Sequence, residues 1–132
     1  MTDYIIVTEA DAAVLRMMPL NEPLRRELGR AIVVSSEAMP PDVVTMNSLV
    51  RYRDELAGVT RTVALVYPYA AQGGPGMVSV LSPLGTALLG LSEGQTIDWD
   101  FPDGSRRRLR VEEVLHQPER LGNNPVPGAP RP

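Results

Sequence analysis

The sequence predicts an α+β fold: a mostly antiparallel β-sheet domain carrying one short helix, preceded by a short N-terminal helical hairpin. Three stretches carry this expectation. Residues 80–97 read as strand, capped two-turn helix, turn and strand. Residues 95–111 hold two alternating runs joined by Pro102-Asp103-Gly104. Residues 8–31 hold two short runs of helical periodicity separated by Pro19 and Pro23.

The segment Val80–Ile97 is the most informative. Ser82 is a good helix N-cap, because its hydroxyl can accept an orphan N–H of the first turn. Pro83 suits the first helical position, where no N–H is needed and φ is already set. Leu84, Ala87, Leu88 and Leu91 recur at i, i+3, i+4 and i+7 and make one apolar face. Gly90 supplies the left-handed residue that ends such a helix. Ser92-Glu93-Gly94 is turn chemistry, and Gln95 opens the next alternating run.

In the N-terminal region, Tyr4–Val7 is β-prone and Thr8 can cap a helix, with Asp11 as an imperfect capping box. Ala10, Ala13, Val14, Met17 and Met18 are expected on one buried helical face. Pro19 stops that helix. Asn21 and Glu22 form the hairpin tip, and Pro23 starts the second helix. There Leu24, Leu28 and Ala31 repeat inward, while Arg25, Arg26, Glu27 and Arg30 face out. Each arm has about nine residues and spans roughly 13 Å.

The remaining strands follow from alternation. Ala31–Ser35 is a strand. Val43–Arg53 is expected to be another, with Val44, Met46, Val50 and Tyr52 facing the core and Thr45, Asn47, Arg51 and Arg53 facing out. A hairpin connection containing Gly58 leads to Arg61–Tyr67, with Val63, Leu65 and Tyr67 inward. Tyr69–Gly76 is a loop, and Met77–Leu81 returns to strand. In the last hairpin, Ile97, Trp99 and Phe101 point one way. If Trp99 faces Leu109 and Ile97 faces Val111, then Asp100 lies opposite Arg108 and Asp98 opposite Arg110. The loop is then Asp103-Gly104-Ser105. Val114 breaks the alternation after Glu112, which predicts a bulge or a strand end. The expected core is Val44, Met46, Val50, Val63, Leu65, Leu84, Leu88, Ile97, Trp99, Leu109 and Val111.

Composition bounds the chemistry. The 132 residues suffice for one cored domain with a small appendage. All 13 basic residues are arginine, yet the net charge is −3, so no global basic field draws the chain to nucleic acid. The absence of cysteine excludes disulfides, thiolate catalysis and Cys-ligated zinc. The single histidine, His116, cannot build a histidine-rich zinc site, and its place at a strand end suits a structural role. Gly73-Gly74-Pro75-Gly76 lacks the Lys-Ser/Thr that completes a phosphate-binding loop. No apolar run approaches the ~20 residues needed to span a bilayer, and the expected location is the cytoplasm.

The motif Ser82-Pro83-x-Gly85-x-Ala87-Leu88-x-Gly90-x-x-x-Gly94-x-x-Ile97 resembles the signature of the C-terminal domain of the GreA/GreB transcription elongation factors. Met39-Pro40-Pro41-Asp42-Val43-Val44-Thr45-Met46-Asn47-Ser48 is similar to the matching segment of the Rnk branch, the regulators of nucleoside diphosphate kinase. Leu65-Val66-Tyr67-Pro68 and Glu113–Glu119 extend the resemblance over roughly residues 1–120. It implies an FKBP-like sheet domain over 32–120, which follows the helical hairpin read over 1–31; the Gly-, Asn- and Pro-rich residues 121–132 cannot bury enough apolar surface to offset their ordering entropy and are expected to form a flexible tail. The resemblance also implies a partner, RNA polymerase, gripped at the rim of its secondary channel by Pro83 and Leu84, with Ser82 and Gly85 shaping the contact.

Gre factors, as the resemblance implies, carry a coiled-coil hairpin several times longer, tipped by two acidic residues that reach a catalytic magnesium of the polymerase. Here the tip holds one acid, Glu22. An arm of ~13 Å falls far short of a buried catalytic centre, and one carboxylate makes a weak divalent site. The expectation is therefore a non-enzymatic regulator of transcription that competes with cleavage factors without sharing their activity. It needs no cofactor, metal or small-molecule substrate, has no membrane partner, and meets nucleic acid only through the polymerase. A stripe of Arg106, Arg108 and Arg110 could touch phosphates, but the expected aspartate partners would neutralise much of it. Two rival readings are a peptidyl-prolyl isomerase, suggested by fold analogy alone, and a binding module for another protein.

Overall fold

The computed structural model describes residues 5–19 and 21–121. The chain opens with β1 (Ile6–Thr8), α1 (Glu9–Arg16), α2 (Glu22–Gly29) and β2 (Ile32–Val34). A 3-10 turn over Ser36–Ala38 leads through irregular chain to β3 (Leu49–Asp54) and β4 (Val59–Val66). A second 3-10 segment, Pro68–Gly73, precedes β5 (Met77–Ser79), α3 (Pro83–Leu88), β6 (Thr96–Asp100) and β7 (Arg106–His116). A last 3-10 turn covers Pro118–Leu121. The expectation of a flexible tail falls, apart from Leu121, outside the described residues.

Two sheets result. β1 and β2 pair in parallel, Ile6 opposite Ile32, with both short helices between them in sequence. The larger sheet has the order β5-β4-β3-β7-β6. Its β4–β3, β3–β7 and β7–β6 pairings are antiparallel, and only β5 runs parallel to its neighbour β4. The mixed α+β, mostly antiparallel architecture is thus as expected. One contiguous core joins Ile5, Val7, Ala12, Leu15, Leu24 and Leu28 of the N-terminal part to Val50, Leu65, Leu88, Leu109 and Val111 of the sheet and α3.

Local chemistry sets the caps, at Thr8 and Ser82 as expected and at Asn21, which was expected only as a turn residue, in addition. The hydroxyls of Thr8 and Ser82 and the side-chain carbonyl of Asn21 accept the N–H of Asp11, Gly85 and Leu24. Gly90 stands at φ +82° after α3, and Gly58 at φ +71° closes the β3–β4 connection. Inward residues Val50, Tyr52, Val63, Leu65 and Tyr67 are all buried. β7 carries two register shifts against β3, which leave Glu112 and Leu115 as the extra residues. The break in alternation around Val114 is therefore a pair of bulges.

Four expectations fail, each for a physical reason. On α1 the buried residues are Ala12 and Leu15, whereas Val14 is 46% and Met17 87% exposed. The helix is apolar on two faces. The bulkier anchor Leu15, with Ile5 just before β1 and Val7 within it joining the same core, decides which face turns inward. Glu27 on α2 is buried, not exposed, and pairs with Arg30 at 3.0 Å. Residues 43–48 are not strand: Val43, Val44, Thr45, Met46 and Ser48 are all buried, and Asn47 takes φ +68°. The alternation there came from a folded-in loop whose polar groups satisfy one another, the Thr45 N–H donating to Ser48 Oγ at 2.9 Å.

The fourth failure is the β6–β7 register. Ile97 faces Leu109, Trp99 faces Arg107, Asp98 faces Arg108, and Asp100 faces Arg106. The facing side of every residue is as expected, but the pairing slips by two. The loop has three residues as expected, yet they are Pro102-Asp103-Gly104. Phe101 N–H donates to Ser105 O at 2.8 Å, and Gly104 N–H donates to Phe101 O at 3.0 Å, with Gly104 at φ +87°. This is a type I turn with Pro at its second position and a left-handed glycine completing a bulge. The expected register needed Pro102 in the closing strand pair, where it has no N–H to give.

Candidate functional site

The Ser82–Gly85 segment is built by backbone geometry. Ser82 Oγ accepts from Gly85 N–H at 3.1 Å and donates to Ser79 O at 2.7 Å, so one hydroxyl both caps α3 and ties it to β5. Thr86, buried inside the helix, donates its hydroxyl to Val80 O at 2.8 Å. Gly85 packs directly on the preceding chain: a Cβ there would lie 2.0 Å from Ser79 O and 2.9 Å from Val80 Cα. The rigid turn leaves Ser82, Pro83 and Leu84 half-exposed and Gly85 buried.

The hairpin tip comes to this same place. Asn21, while capping α2, donates its Nδ2 to Leu81 O at 2.8 Å, sixty residues away in sequence. A groove of about 300 Å³ opens between the tip, the start of α3 and the end of the last hairpin, lined by Pro23, Leu81, Pro83, Trp99 and Pro102 with Asp100 at its edge. Glu22 stands at the start of α2. It is exposed and meets Arg25 one turn on at 3.4 Å. Such an exposed pair contributes about 0.2–0.5 kcal/mol. Among the described residues, no group of three or more acids and histidines could hold a metal ion.

The arginine stripe is ion-paired, with partners shifted from those expected. Arg106 binds Asp100 and Arg108 binds Asp98, each at 2.9 Å. The hydrogen bond from Arg108 holds the Asp98 carboxyl below the usual carboxylate range. Arg110 lies opposite Thr96 on one side and Arg53 on the other, not opposite Asp98. Arg107, outside the stripe, reaches Asp54 at 3.0 Å and places its guanidinium 4.9 Å from the centre of the Phe101 ring. His116 sits half-buried at the end of β7, opposite Leu49.

A second polar cluster was not foreseen. Asp11 accepts from Met46 N–H at 3.3 Å and from the Tyr67 hydroxyl at 3.2 Å, and Thr45 donates to Glu119 at 2.6 Å. Burial, then the charge of Glu119, raises the Asp11 carboxyl above its ordinary value. Burial and the neighbouring Asp11 likewise push the Tyr67 hydroxyl up. The cluster locks α1 to the 43–48 loop and to the C-terminal turn.

Comparison with known proteins agrees with this architecture. Residues 39–116 match the family model described as transcription elongation factor, GreA/GreB, C-term. The chain belongs to the GreA/GreB family. Within that family it is 43% identical over 106 residues to the regulator of nucleoside diphosphate kinase of Escherichia coli, covering 80% of this chain and 78% of that one. It is 36% identical over 89 residues to the transcription inhibitor protein Gfh1 of Thermus thermophilus, covering 66% of this chain and 55% of that one. A GreA/GreB transcription elongation factor structure from Nitrosomonas europaea superposes with a TM-score of 0.69 at 38% identity, over 87% of this chain and all of that one. Both the GreA/GreB and the Rnk resemblance are thereby borne out, and a role in transcription follows from the family. Among the described residues, no helix is long and apolar enough to cross a membrane.

Of the residues proposed from the sequence, Ser82, Pro83, Leu84 and Gly85 are contiguous at the start of α3, and Asn21 reaches them through Leu81 O. Sequence reasoning missed Pro23, Trp99 and Pro102 as their neighbours around the groove. The groove residues arrive from three distant segments, the start of α2, the start of α3 and the last hairpin, and no local spacing signals the meeting.

Proposed function

We propose that this chain is a non-enzymatic transcription regulator that binds RNA polymerase beside its secondary channel and competes there with cleavage factors. The contact is made by Pro83 and Leu84, held by Ser82 and Gly85. The observation that carries this reading is the Ser82-capped, Gly85-packed turn, which presents a small rigid apolar knob beside a groove. Such a knob with polar neighbours suits a docking surface. The short tip supports the absence of cleavage stimulation: α2 starts at Glu22, whose single carboxylate is engaged with Arg25, and Asn21 is tied back to Leu81.

In this reading the family body at 32–120 is FKBP-like and does the gripping, while 1–31 braces it. A pull-down with core polymerase tests the proposal. Wild type is expected to bind, Pro83→Asn to lose binding, Glu22→Ala to retain it, and an added cleavage factor to displace it. Absence of wild-type binding refutes the reading, and stimulated transcript cleavage refutes its second half. The apolar groove beside Trp99 is the one feature that favours a prolyl isomerase instead, and a prolyl-peptide isomerisation assay separates the two.

A further inference from the structure

We propose that α1 is a self-association surface: a second copy of this chain docks on it, the two α1 helices running antiparallel across a two-fold axis. The starting observation is a helix with two apolar faces. Ala12 and Leu15 are consumed by the core, and Ala10, Ala13, Val14 and Met17 remain exposed, Met17 at 87%. Their spacing of i, i+3, i+4 and i+7 is that of a helix-packing seam. The two alanines permit close approach of backbones, and Val14 and Met17 supply the apolar bulk.

Charge identifies the occupant. Glu9 and Arg16 lie seven residues apart, on one flank of the seam, at opposite ends of α1. Among the described residues neither forms an ion pair within the chain. When two such helices pack antiparallel, like flanks meet. Glu9 of one copy then faces Arg16 of the other, and the same pair recurs across the axis. A parallel arrangement would not give these two matched pairs. Self-complementarity of this kind is what an isologous two-fold contact requires. The eight-residue helix buries well below the ~800 Å² per partner of a stable complex, so the association is weak, with a dissociation constant of roughly 0.1–1 mM.

Sedimentation equilibrium on the full chain, from about 10 μM to about 2 mM, tests this. Wild type is expected to shift from 14.4 kDa toward twice that mass, less so at high salt. Met17→Glu should raise the dissociation constant at least about tenfold, because a two-fold contact meets each substitution twice. Glu9→Arg and Arg16→Glu should each weaken association, and the double swap Glu9→Arg/Arg16→Glu should restore it. Both charges also suit the helix dipole, so restoration by the swap is what separates pairing across copies from a role within the helix. Circular dichroism confirms that each variant is folded. A wild type that stays monomeric throughout, association indifferent to Met17→Glu, or a swap that fails to restore it would each overturn the proposal.

Discussion

Gly85→Ala is the sharpest test of how the proposed docking knob is built. A methyl at this position would sit 2.0 Å from Ser79 O and 2.8 Å from Ser79 C, well inside any real contact, and the obstacle is backbone. The Ser79 carbonyl cannot simply move away. It accepts both the Ser82 hydroxyl at 2.7 Å and the Ser82 N–H at 3.0 Å. Overpacking of a rigid site costs about 1–3 kcal/mol, and disturbing two hydrogen bonds adds roughly 0.5–1.5 kcal/mol each. A loss near 3 kcal/mol corresponds to a fall in Tm of about 10 °C for a chain of this size. Differential scanning calorimetry measures it, with Gly29→Ala as control. Gly29 ends α2 with an ordinary φ, and nothing lies within 4 Å of an added Cβ. That variant should gain about 0.5–1 kcal/mol by lowering the entropy of the unfolded chain. If Gly85→Ala melts within about 2 °C of the parent, the close packing of α3 on β5 does not constrain the knob, and the argument for Gly85 is wrong.

Other predictions concern the buried polar groups. Asp11 titrates above its ordinary 3.8 because burial, then Glu119, penalises its anion; a raised folded-state value gives stability that is present below 3.8 and lost as pH rises through the folded value. Asp11→Asn removes that loss, so the Tm difference between variant and parent should move in the variant's favour from about pH 4 to pH 7, and a constant difference would refute the assignment. Asp54 is the opposite case: burial pushes it up, but the Ala57 N–H and the Arg107 guanidinium outweigh burial and hold it low. Its contribution is present above 3.8 and lost as pH falls. Arg107→Met should cost about 2 kcal/mol, discounted because Arg107 is itself 39% exposed, and should flatten the acid limb of the Tm profile. Gln117, 1% exposed, donates to Pro40 O and Val43 O at 2.8 Å each; Gln117→Leu should cost about 1–3 kcal/mol in urea denaturation, because it strands the Val43 carbonyl and leaves Pro40 O only the Val43 N–H at 3.4 Å.

What the sequence disclosed divides along a physical line. The start of α3, its end at Gly90, the cap at Thr8 and the hairpin connection through Gly58 are decisions taken within a few residues, by chemistry that operates wherever the segment lies. They were legible. The family signature was legible for the same reason, because it is the cap, the close-packed glycine and the terminating glycine of one helix. The face of α1 was not. Its two apolar stripes compete, and the winner is set by β1 pairing with β2, twenty-six residues away. The loop over 43–48 imitated a strand because its residues alternate while all but Asn47 are buried.

The β6–β7 hairpin shows where a finer reading would have succeeded. Inward and outward sides follow from a period of two, so any even slip preserves them, and apolar matching cannot choose between registers two apart. The turn can choose. Pro at the second position and Gly at the fourth of Phe101-Pro102-Asp103-Gly104 specify a type I turn with a following bulge, and a proline in the closing pair would leave the ladder without a donor. The consequence reaches the candidate site. The observed register sets Trp99 opposite Arg107 rather than Leu109, puts Pro102 at the turn, and brings both to the groove beside Pro83. A polymerase-binding loss in Pro83→Asn that Trp99→Ala reproduces would show that the groove and the knob act as one surface, whereas binding indifferent to Trp99 would confine the contact to α3.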